Sequence, residues 1–349
     1  MSRTVLITGA NGEIGHGLIK FLSGEPDTKI VALDRSPTDD YQRTVEFYKG
    51  DILDQNLIEE LNRKFEFDTI FHLAAILSTG GERDPLVAQR VNVDGSLNLL
   101  NLADAQSQKR GKPVVFVFPS TIAAYGFDSL EQKLKSGKID ESRFLNPTTM
   151  YGLNKLYVEH LGTYFGENFR RFNTEPNITR IDFRAVRLPG IMSADSLPTG
   201  GTSDYGPEMI HAAAQGKAYE CFVTPDSQLP FMVMPDAVSA LIDISRAPKA
   251  KLSQTVYNVG SFAITAAEIR AEVLKYFPAA RITFKANPQR LAIVNSWPAD
   301  VNDSKARTDW GWNPEFDKAS AFRDYLIPGI MRRYATQMQR GAASAHAAS

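Results

Sequence analysis

The chain has few of the residues that bind metals or form disulfides. Of its 349 residues one is a cysteine, Cys221, so an intrachain disulfide is impossible and a reducing compartment is expected. The five histidines are scattered, and the lack of His-x3-His and Cys-x2-Cys pairs argues against a zinc site. We therefore expect a protein without a metal centre.

Long apolar runs and an excess of charge are also missing. No apolar stretch approaches the roughly 18 residues of a membrane span. The formal net charge of -1 gives no reason to expect nucleic acid or an anionic membrane as a partner. Because the first three residues lead directly into a β-like run, we expect no signal peptide and a cytoplasmic protein.

The remaining composition, 43% hydrophobic and 23% charged, is that of a globular protein. Short β-branched runs alternate with helical patterns, which predicts an α/β fold: a doubly wound Rossmann-type parallel sheet with a smaller C-terminal α/β substrate lobe. We place the dinucleotide-binding domain at residues 1–190, with parts of 230–262 returning to it, and the substrate lobe at 191–330. The Ala/Ser tail 341–349 is expected to be disordered.

The predicted elements share an alternating order. Six strands are predicted at 5–7, 30–33, 45–48, 69–73, 114–118 and 181–188, and later ones near 218–223, 255–259 and 281–284. Helices are predicted at 16–22, from 55, and at 85–106, 130–134, 149–165, 207–215, 235–245, 266–276 and 318–340. Residues 76–83 are expected to form a loop, and residues 230–235 to rejoin the main sheet.

A glycine-rich turn follows the first predicted strand. Gly9, Gly12 and Gly15 form a Gly-x2-Gly-x2-Gly pattern that opens a helix. Such a turn lets backbone N–H groups and the positive helix end meet a pyrophosphate, whereas a lone tight turn is the structural alternative. The strand-to-helix context favours nucleotide binding, by residues Gly9, Asn11, Gly12, Glu13, Ile14 and Gly15.

Acidic residues follow the second and third strands. Asp34 can accept hydrogen bonds from an adenosine ribose and repel a 2′-phosphate, which favours NAD, although its neighbour Arg35 could accommodate that phosphate. Alternatively Asp34 starts a turn at Ser36. Asp51 either contacts the adenine end or caps the next helix, and the two interpretations are evenly balanced.

A tyrosine and a lysine one helical turn apart suggest acid–base chemistry. Tyr151 and Lys155 would lie on the same face of a helix. An ammonium about 4 Å from the phenol could lower the tyrosine pKa by roughly three units, which takes about 4 kcal/mol. Thr121, after the fifth strand, could orient a substrate hydroxyl or merely satisfy the strand end. The sequence therefore predicts a catalytic set of Thr121, Tyr151 and Lys155.

Every polar or glycine cluster singled out here follows a predicted strand. Parallel strands end at one edge of an open sheet, and ligands bind at that edge. The clusters at 8–15, 34, 51, 74–83 and 120–126 should therefore converge with Tyr151, as should the one at 188–205. This convergence predicts a nicotinamide-dependent enzyme acting on a small molecule.

These motifs together resemble the extended short-chain dehydrogenase/reductase family over residues 3–330. The resemblance implies that Tyr151 is the acid/base, that Lys155 lowers its pKa and holds the ribose, and that Thr121 positions the substrate hydroxyl. It also implies NAD as cofactor. Further cofactor contacts implied by the resemblance are Ile52, Leu73, Ala74, Ala75, Asn92, Leu188 and Ile191, with Tyr151 and Lys155.

The later motifs resemble a group within that family, the short-chain type of L-threonine 3-dehydrogenases. They are Leu188-Pro189-Gly190-Ile191, Gly200-Gly201-Thr202-Ser203-Asp204-Tyr205, Ser296-Trp297-Pro298 and Asp309-Trp310-Gly311-Trp312. The resemblance implies that Ser78, Gly201 and Thr202 hold the amino-acid carboxylate and ammonium, and that Thr121 and Tyr151 meet the C3 hydroxyl. Ser203 and Asn295 depart from the usual Thr and Asp.

Other functions share this scaffold. A nucleotide-sugar epimerase or dehydratase would usually carry an Asn after the sixth strand, where this chain has Leu188-Pro189. A dehydrogenase of another small 3-hydroxy acid or sugar acid would differ only in its pocket contacts, and an inactive cofactor-binding regulator would lack the catalytic set. The resemblance further implies a homodimer formed through helices 85–106 and 149–165.

Overall fold

The chain folds around a seven-stranded sheet that is parallel throughout. The computed structural model describes residues 3–36, 45–172 and 179–335, so the predicted disordered tail at 341–349 and the end of the helix at 318–340 lie outside the described residues. The strands, in chain order, are β1 Arg3–Thr8, β2 Thr28–Asp34, β3 Val45–Lys49, β4 Thr69–His72, β5 Val115–Thr121, β6 Lys138–Ile139, β7 Asp182–Leu188, β8 Gly190–Met192, β9 Tyr219–Cys221, β10 Gln228–Val233, β11 Val256–Asn258, β12 Phe262–Thr265, β13 Ile282–Phe284 and β14 Asp300–Val301. The large sheet has the order β11-β7-β5-β4-β1-β2-β3.

Helices cover both faces of this sheet. In chain order they are α1 Glu13–Leu22, α2 Gln55–Lys64, α3 Ser78–Arg83, α4 Pro85–Gln89, α5 Gly95–Arg110, α6 Leu130–Lys135, α7 Met150–Glu167, α8 Tyr205–Ala214, α9 Met234–Arg246, α10 Ala266–Tyr276, α11 Pro288–Ser296, α12 Ser304–Trp310 and α13 Lys318–Ser320. A π-helical turn at Arg90–Asp94 joins α4 to α5. A second one, at Ala321–Leu326, joins α13 to a helix that runs to residue 335.

Alternation along β1 shows how the two layers of helices are buried. Val5 and Ile7 pack in the same cluster as Leu18 of α1 and Leu241 of α9. Leu6, between them, belongs to the cluster on the opposite face, which includes residues of α2, α5 and α7. Because successive strand side chains point to opposite faces, a continuous apolar run is what a doubly covered strand requires. The predicted Rossmann-type α/β fold is confirmed.

Two local predictions are wrong. Residues 230–235 do not rejoin the large sheet, because β10 pairs with β8 and β12 in a separate three-stranded sheet. Gly190 of β8 makes this pairing possible: a Cβ there would lie 2.6 Å from the Phe231 ring. The chain instead returns through α9 and β11, which pairs with β7. The expected loop at 76–83 contains a short helix, α3.

The smaller sheets lie in the C-terminal half and in the segment before α7. β9 pairs with β13, and β6 pairs in parallel with β14, which ties the 127–147 segment to residues beyond 299. These elements share an apolar cluster that includes Ile139, Phe231 and Phe322. The predicted domain boundaries themselves stay a prediction. Within the described ranges, no helix is both long and apolar enough to cross a membrane.

Candidate active site

A cleft of about 800 Å³ lies at the carboxyl edge of the large sheet. It is lined by every residue predicted to contact cofactor or substrate except Asn92. Asn92 is buried and holds the chain after β4, since its side chain accepts from the N–H of Ile76 at 2.7 Å and donates to the Ile76 carbonyl at 3.0 Å. The convergence of strand ends expected from the sequence is present, while the contacts of each residue with a ligand stay predictions.

The glycine-rich turn is shaped by close backbone approaches. Gly9 has a φ of 68°, and a Cβ on it would lie 2.6 Å from the backbone nitrogen of Ala74. A Cβ on Gly15 would lie 2.4 Å from the carbonyl oxygen of Ala10. Gly12 precedes α1 without a side-chain cap on the helix end, and a Cβ on it would meet only the Gly9 oxygen, at 3.2 Å. The turn therefore leaves a helix N-terminus facing the cleft, which suits a diphosphate.

Asp34 ends β2 and Asp51 follows β3, and both line the cleft. Asp34 accepts from the N–H of Asn11 at 3.0 Å and from the N–H of Ser36 at 2.9 Å, so it both starts the predicted turn and lines the cleft. Asp51 accepts from the N–H of Leu53 and lies 3.8 Å from the guanidinium of Arg35. The carboxylate of Asp34 is thus fixed in a position where it could meet a ribose.

The predicted catalytic residues lie together. Tyr151 and Lys155 sit on the first turns of α7, which the Thr149 hydroxyl caps by accepting from the N–H of Gly152. The hydroxyl of Thr121 accepts from the N–H of Ala123 at 3.1 Å and lies beside the Tyr151 phenol, whose pKa it lowers. The Thr121 proton can therefore stabilise a Tyr151 phenolate.

Lys155 is not among the groups that shift the pKa of Tyr151 in this structure, and its expected effect on Tyr151 stays a prediction. Burial raises the pKa of Tyr151 to about 12, against the hydrogen bond from Thr121. Burial also lowers the pKa of Lys155 to about 7, against the attraction of Glu159. The Lys155 ammonium donates to the Pro119 carbonyl at 2.7 Å and lies 5.7 Å from the Tyr151 ring centroid, so it does not pair with the phenol.

A buried ion pair lies behind Lys155 and was not predicted. Glu159, one turn after Lys155 on α7, accepts from Arg187 of β7 at 2.6 and 2.9 Å, and both side chains are 2% exposed. Ser120 also donates to Glu159. Arg187 donates further to the Tyr125 hydroxyl at 2.9 Å. Burial opposes the charge of Arg187, but Glu159 and Tyr125 together outweigh burial, and the pKa of Arg187 is raised.

Three of the predicted substrate residues, Ser78, Gly201 and Thr202, line the cleft from two segments that contact each other. Thr202 donates to the hydroxyl of Ser78 at 3.2 Å, and both are buried. The N–H of Gly201 donates to Asp204 at 2.7 Å and its carbonyl accepts from Arg290 at the same distance. The backbone of Gly201 is therefore already engaged within the protein.

Other cleft residues were not predicted from sequence. One of them is Ser196, which contacts the predicted residue Glu13. Burial raises the pKa of Glu13, Ser196 lowers it through a hydrogen bond, and the nearby Asp204 raises it. Trp297, named from the sequence only as part of the Ser296-Trp297-Pro298 motif, lines the cleft as well. The Ser/Thr-rich composition of residues 192–205 was a signal for Ser196, whereas a lone Trp carries no such signal. Among the residues that the structure describes, no three His, Cys, Asp or Glu side chains form a group able to hold a metal.

Comparisons with known proteins agree with this geometry. The chain is 36% identical over 315 residues to the mitochondrial L-threonine 3-dehydrogenase of Bos taurus, covering 90% of this chain and 79% of that relative. It is 33% identical to an uncharacterized epimerase/dehydratase of Staphylococcus haemolyticus, covering 90% of this chain and 94% of that protein. The structure of a monomeric L-threonine 3-dehydrogenase from a metagenome superposes with a TM-score of 0.80 at 34% identity, covering 94% of this chain and 99% of the other.

The family model described as NAD dependent epimerase/dehydratase matches residues 5–260. That range contains the glycine-rich turn, Thr121, Tyr151 and Lys155, and it extends through the strand that closes the edge of the large sheet. The match covers well over half of the chain, and the fold and the cleft are those that the sequence predicted. The chain belongs to the NAD dependent epimerase/dehydratase family.

Proposed function

We propose that this chain is an NAD-dependent oxidoreductase of the short-chain dehydrogenase/reductase type that converts L-threonine to 2-amino-3-oxobutyrate. The observation that carries the proposal is one cleft that combines the Thr121–Tyr151–Lys155 set with the Ser78–Thr202 pair. Relatives and solved structures named L-threonine 3-dehydrogenase support the same substrate. A cytoplasmic location remains part of the proposal, supported by the single cysteine.

The cofactor residues fit a dinucleotide. The uncapped N-terminus of α1 would receive the diphosphate, Asp34 would accept from the adenosine ribose, and the carbonyl-bound Lys155 lies where it could turn to the second ribose. When bound, NAD supplies the hydride acceptor and a positive charge in the cleft.

The chain's own part in the reaction is to move a proton. The Tyr151 oxygen would take the proton of the C3 hydroxyl, and Thr121, which lies beside Tyr151, would orient that hydroxyl. Since burial favours the neutral forms of both Tyr151 and Lys155, the phenolate needs a cation at its side. Release of Lys155 from the Pro119 carbonyl would provide one, and Glu159 behind it favours the ammonium form.

The test is the formation of reduced cofactor from NAD and L-threonine, with L-serine, 3-hydroxybutyrate, sugar acids and nucleotide sugars in parallel. We expect L-threonine to give the highest kcat/KM. Tyr151→Phe should lower kcat at least about 100-fold, the lower range for a general base, while NAD affinity stays within twofold. A wild-type rate in Tyr151→Phe would remove Tyr151 from the mechanism.

Epimerisation or dehydration of a nucleotide sugar is the second candidate. The family and the Staphylococcus haemolyticus relative named as an epimerase/dehydratase favour it. Leu188 and Pro189 line the cleft where those enzymes usually offer an Asn, which argues against it. Thermal stabilisation by a nucleoside diphosphate but not by L-threonine would reverse the ranking.

We also propose a homodimer formed through helices 85–106 and 149–165. Leu153, Tyr157 and Tyr164 on α7 expose about half of their surface. Leu86 on α4 is 77% exposed. Their spacing of four and seven residues places the α7 members on one face. Sedimentation at micromolar concentration should show a dimer, and Tyr157→Glu should give monomers. A monomeric wild type, as described for the metagenome relative, would contradict the proposal.

A further inference from the structure

The segment with the predicted substrate residues is fastened from two sides. On the side of α3, the Thr79 hydroxyl donates to the Gly200 carbonyl at 2.9 Å, and Thr202 donates to Ser78. On the other side Arg290, in the first turn of α11, donates through Nη2 to the Gly201 carbonyl at 2.7 Å and lies 3.5 Å from the Gly200 carbonyl. Arg290 itself does not line the cleft.

The guanidinium of Arg290 is held in place before it meets these carbonyls. Its carbon atom lies 3.1 Å from the ring centroid of Phe222, which is buried. The backbone of Arg290 is fixed as well, because its N–H donates to the Asn287 side chain that caps α11. A planar cation stacked on an aromatic ring loses little further freedom when it donates hydrogen bonds.

Residues 200–202 need such a partner because two of them are glycines, whose backbone has little conformational restriction of its own. Gly200 has a φ of 86°, a conformation that glycine adopts without strain. Asp204 fixes the N–H groups, accepting from Thr199 at 3.0 Å and from Gly201 at 2.7 Å. Arg290 is the group that fixes the carbonyls from the lobe side. Without it, the peptide planes next to Thr202 could turn.

The far end of α11 is anchored to the segment that leads into the catalytic helix. Lys133 of α6 is 1% exposed, and its ammonium donates to the Val294 carbonyl at 3.0 Å. The Thr148 hydroxyl lies 2.8 Å from the Ser296 hydroxyl, and the N–H of Phe127 donates to the Ser296 carbonyl. Helix α11 thus connects the 127–148 segment with residues 200–202.

We propose that Arg290 is a positioning residue that sets the geometry of residues 200–202 for the substrate, and that the 127–147 segment anchors the helix that carries it. The inference rests on the proposed function in taking residues 200–202 as substrate-binding. Because Arg290 acts through the segment and not on the cofactor, its loss changes substrate affinity and leaves NAD affinity unchanged.

Kinetics of Arg290→Gln and Arg290→Lys test this role. A lost charge-assisted hydrogen bond corresponds to a factor of about 10 to 100, so Arg290→Gln should raise the KM for L-threonine by that factor. The Kd for NAD should stay within twofold, and Arg290→Lys should recover part of the loss. Arg180→Gln is the matched control, since Arg180 also donates to a carbonyl, that of Phe169, outside the cleft. An unchanged KM in Arg290→Gln overturns the inference.

Hydrogen exchange of the ligand-free protein separates this inference from the proposed function. In Arg290→Gln the amides of residues 199–204 should exchange at least about tenfold faster, while those of α1 keep the wild-type rate. Lys133→Met should accelerate the exchange of the same amides, although Lys133 does not contact residues 199–204. If the wild type does not oxidise L-threonine but these rates rise, the proposed function fails and the positioning role stands. Unchanged exchange in folded Arg290→Gln and Lys133→Met overturns the role.

Discussion

The buried pair of Glu159 and Arg187 should respond differently to the loss of each partner. Removing one member of a buried pair leaves an uncompensated charge and typically costs about 3–5 kcal/mol of unfolding free energy. In Glu159→Gln the remaining guanidinium cannot lose its proton, because an arginine stays charged in proteins. Glu159→Gln also removes the attraction that raises the pKa of Lys155, so its cost should be larger below the Lys155 pKa of about 7 than above it.

The opposite variant, Arg187→Met, leaves a carboxyl that can become neutral. Buried without its cation, Glu159 would have a folded-state pKa above its unfolded value of about 4.3. The folded state then binds more protons than the unfolded state, so stability falls as pH rises from about 4.3 through the raised pKa. Each unit of that shift costs about 1.4 kcal/mol at higher pH. The loss of unfolding free energy in Arg187→Met should be small near pH 5. Near pH 8 it should approach the full cost of about 3–5 kcal/mol.

Urea unfolding of both variants and the wild type at about pH 5, 6.5 and 8 measures these free energies. The double variant Glu159→Gln/Arg187→Met keeps an acceptor for Ser120 and removes both charges, so its cost should fall well below the sum of the single costs. A loss below about 1 kcal/mol in Glu159→Gln, or parallel pH profiles for the two single variants, would refute the reasoning.

Two further predictions concern the cofactor end of the cleft. Gly15→Ala and Gly12→Ala should both weaken NAD binding at least about tenfold, as measured by calorimetry. Only Gly15→Ala should also lower the Tm, because its Cβ would lie 2.4 Å from the Ala10 oxygen. The Cβ of Gly12→Ala would meet a single atom, the Gly9 oxygen, at 3.2 Å. Equal Tm losses would contradict the assignment of Gly12 to ligand approach. Asp34→Asn keeps an acceptor for the N–H of Asn11 or Ser36 and removes the charge, so the NAD-to-NADP ratio of kcat/KM should fall at least about tenfold; an unchanged ratio would show that Asp34 does not discriminate.

The large sheet and the place of the cleft could be predicted because both depend on local patterns. A continuous apolar run such as Val5-Leu6-Ile7 specifies a strand covered on both faces, and parallel strands bring their following residues to one edge. Thr121 and Tyr151 therefore meet although thirty positions separate them in the sequence. The place of the cleft could therefore be predicted without knowing the order of the strands in the sheet.

The remaining features depend on contacts that one sequence does not encode locally. The run that forms β10 reads as a strand of the main sheet, and its true partner was decided by Gly190, which admits the Phe231 ring. The pKa of Tyr151 is raised because burial outweighs the effect of Thr121, and the Lys155 ammonium donates to the Pro119 carbonyl. Arg290 reads as a dispersed surface charge until Phe222 and Gly201 are seen beside it.

The pairing of β6 with β14 has a consequence for the order in which the protein can fold during synthesis. Six of the seven strands of the large sheet have been translated by Leu188, whereas the apolar cluster that contains Ile139 is complete only when Val301 and Phe322 have been made. Since chains are made from the N-terminus, most of the large sheet is available before the C-terminal elements that pack beside it. Until Asp300 and Val301 emerge from the ribosome, β6 in the 127–147 segment has no partner strand.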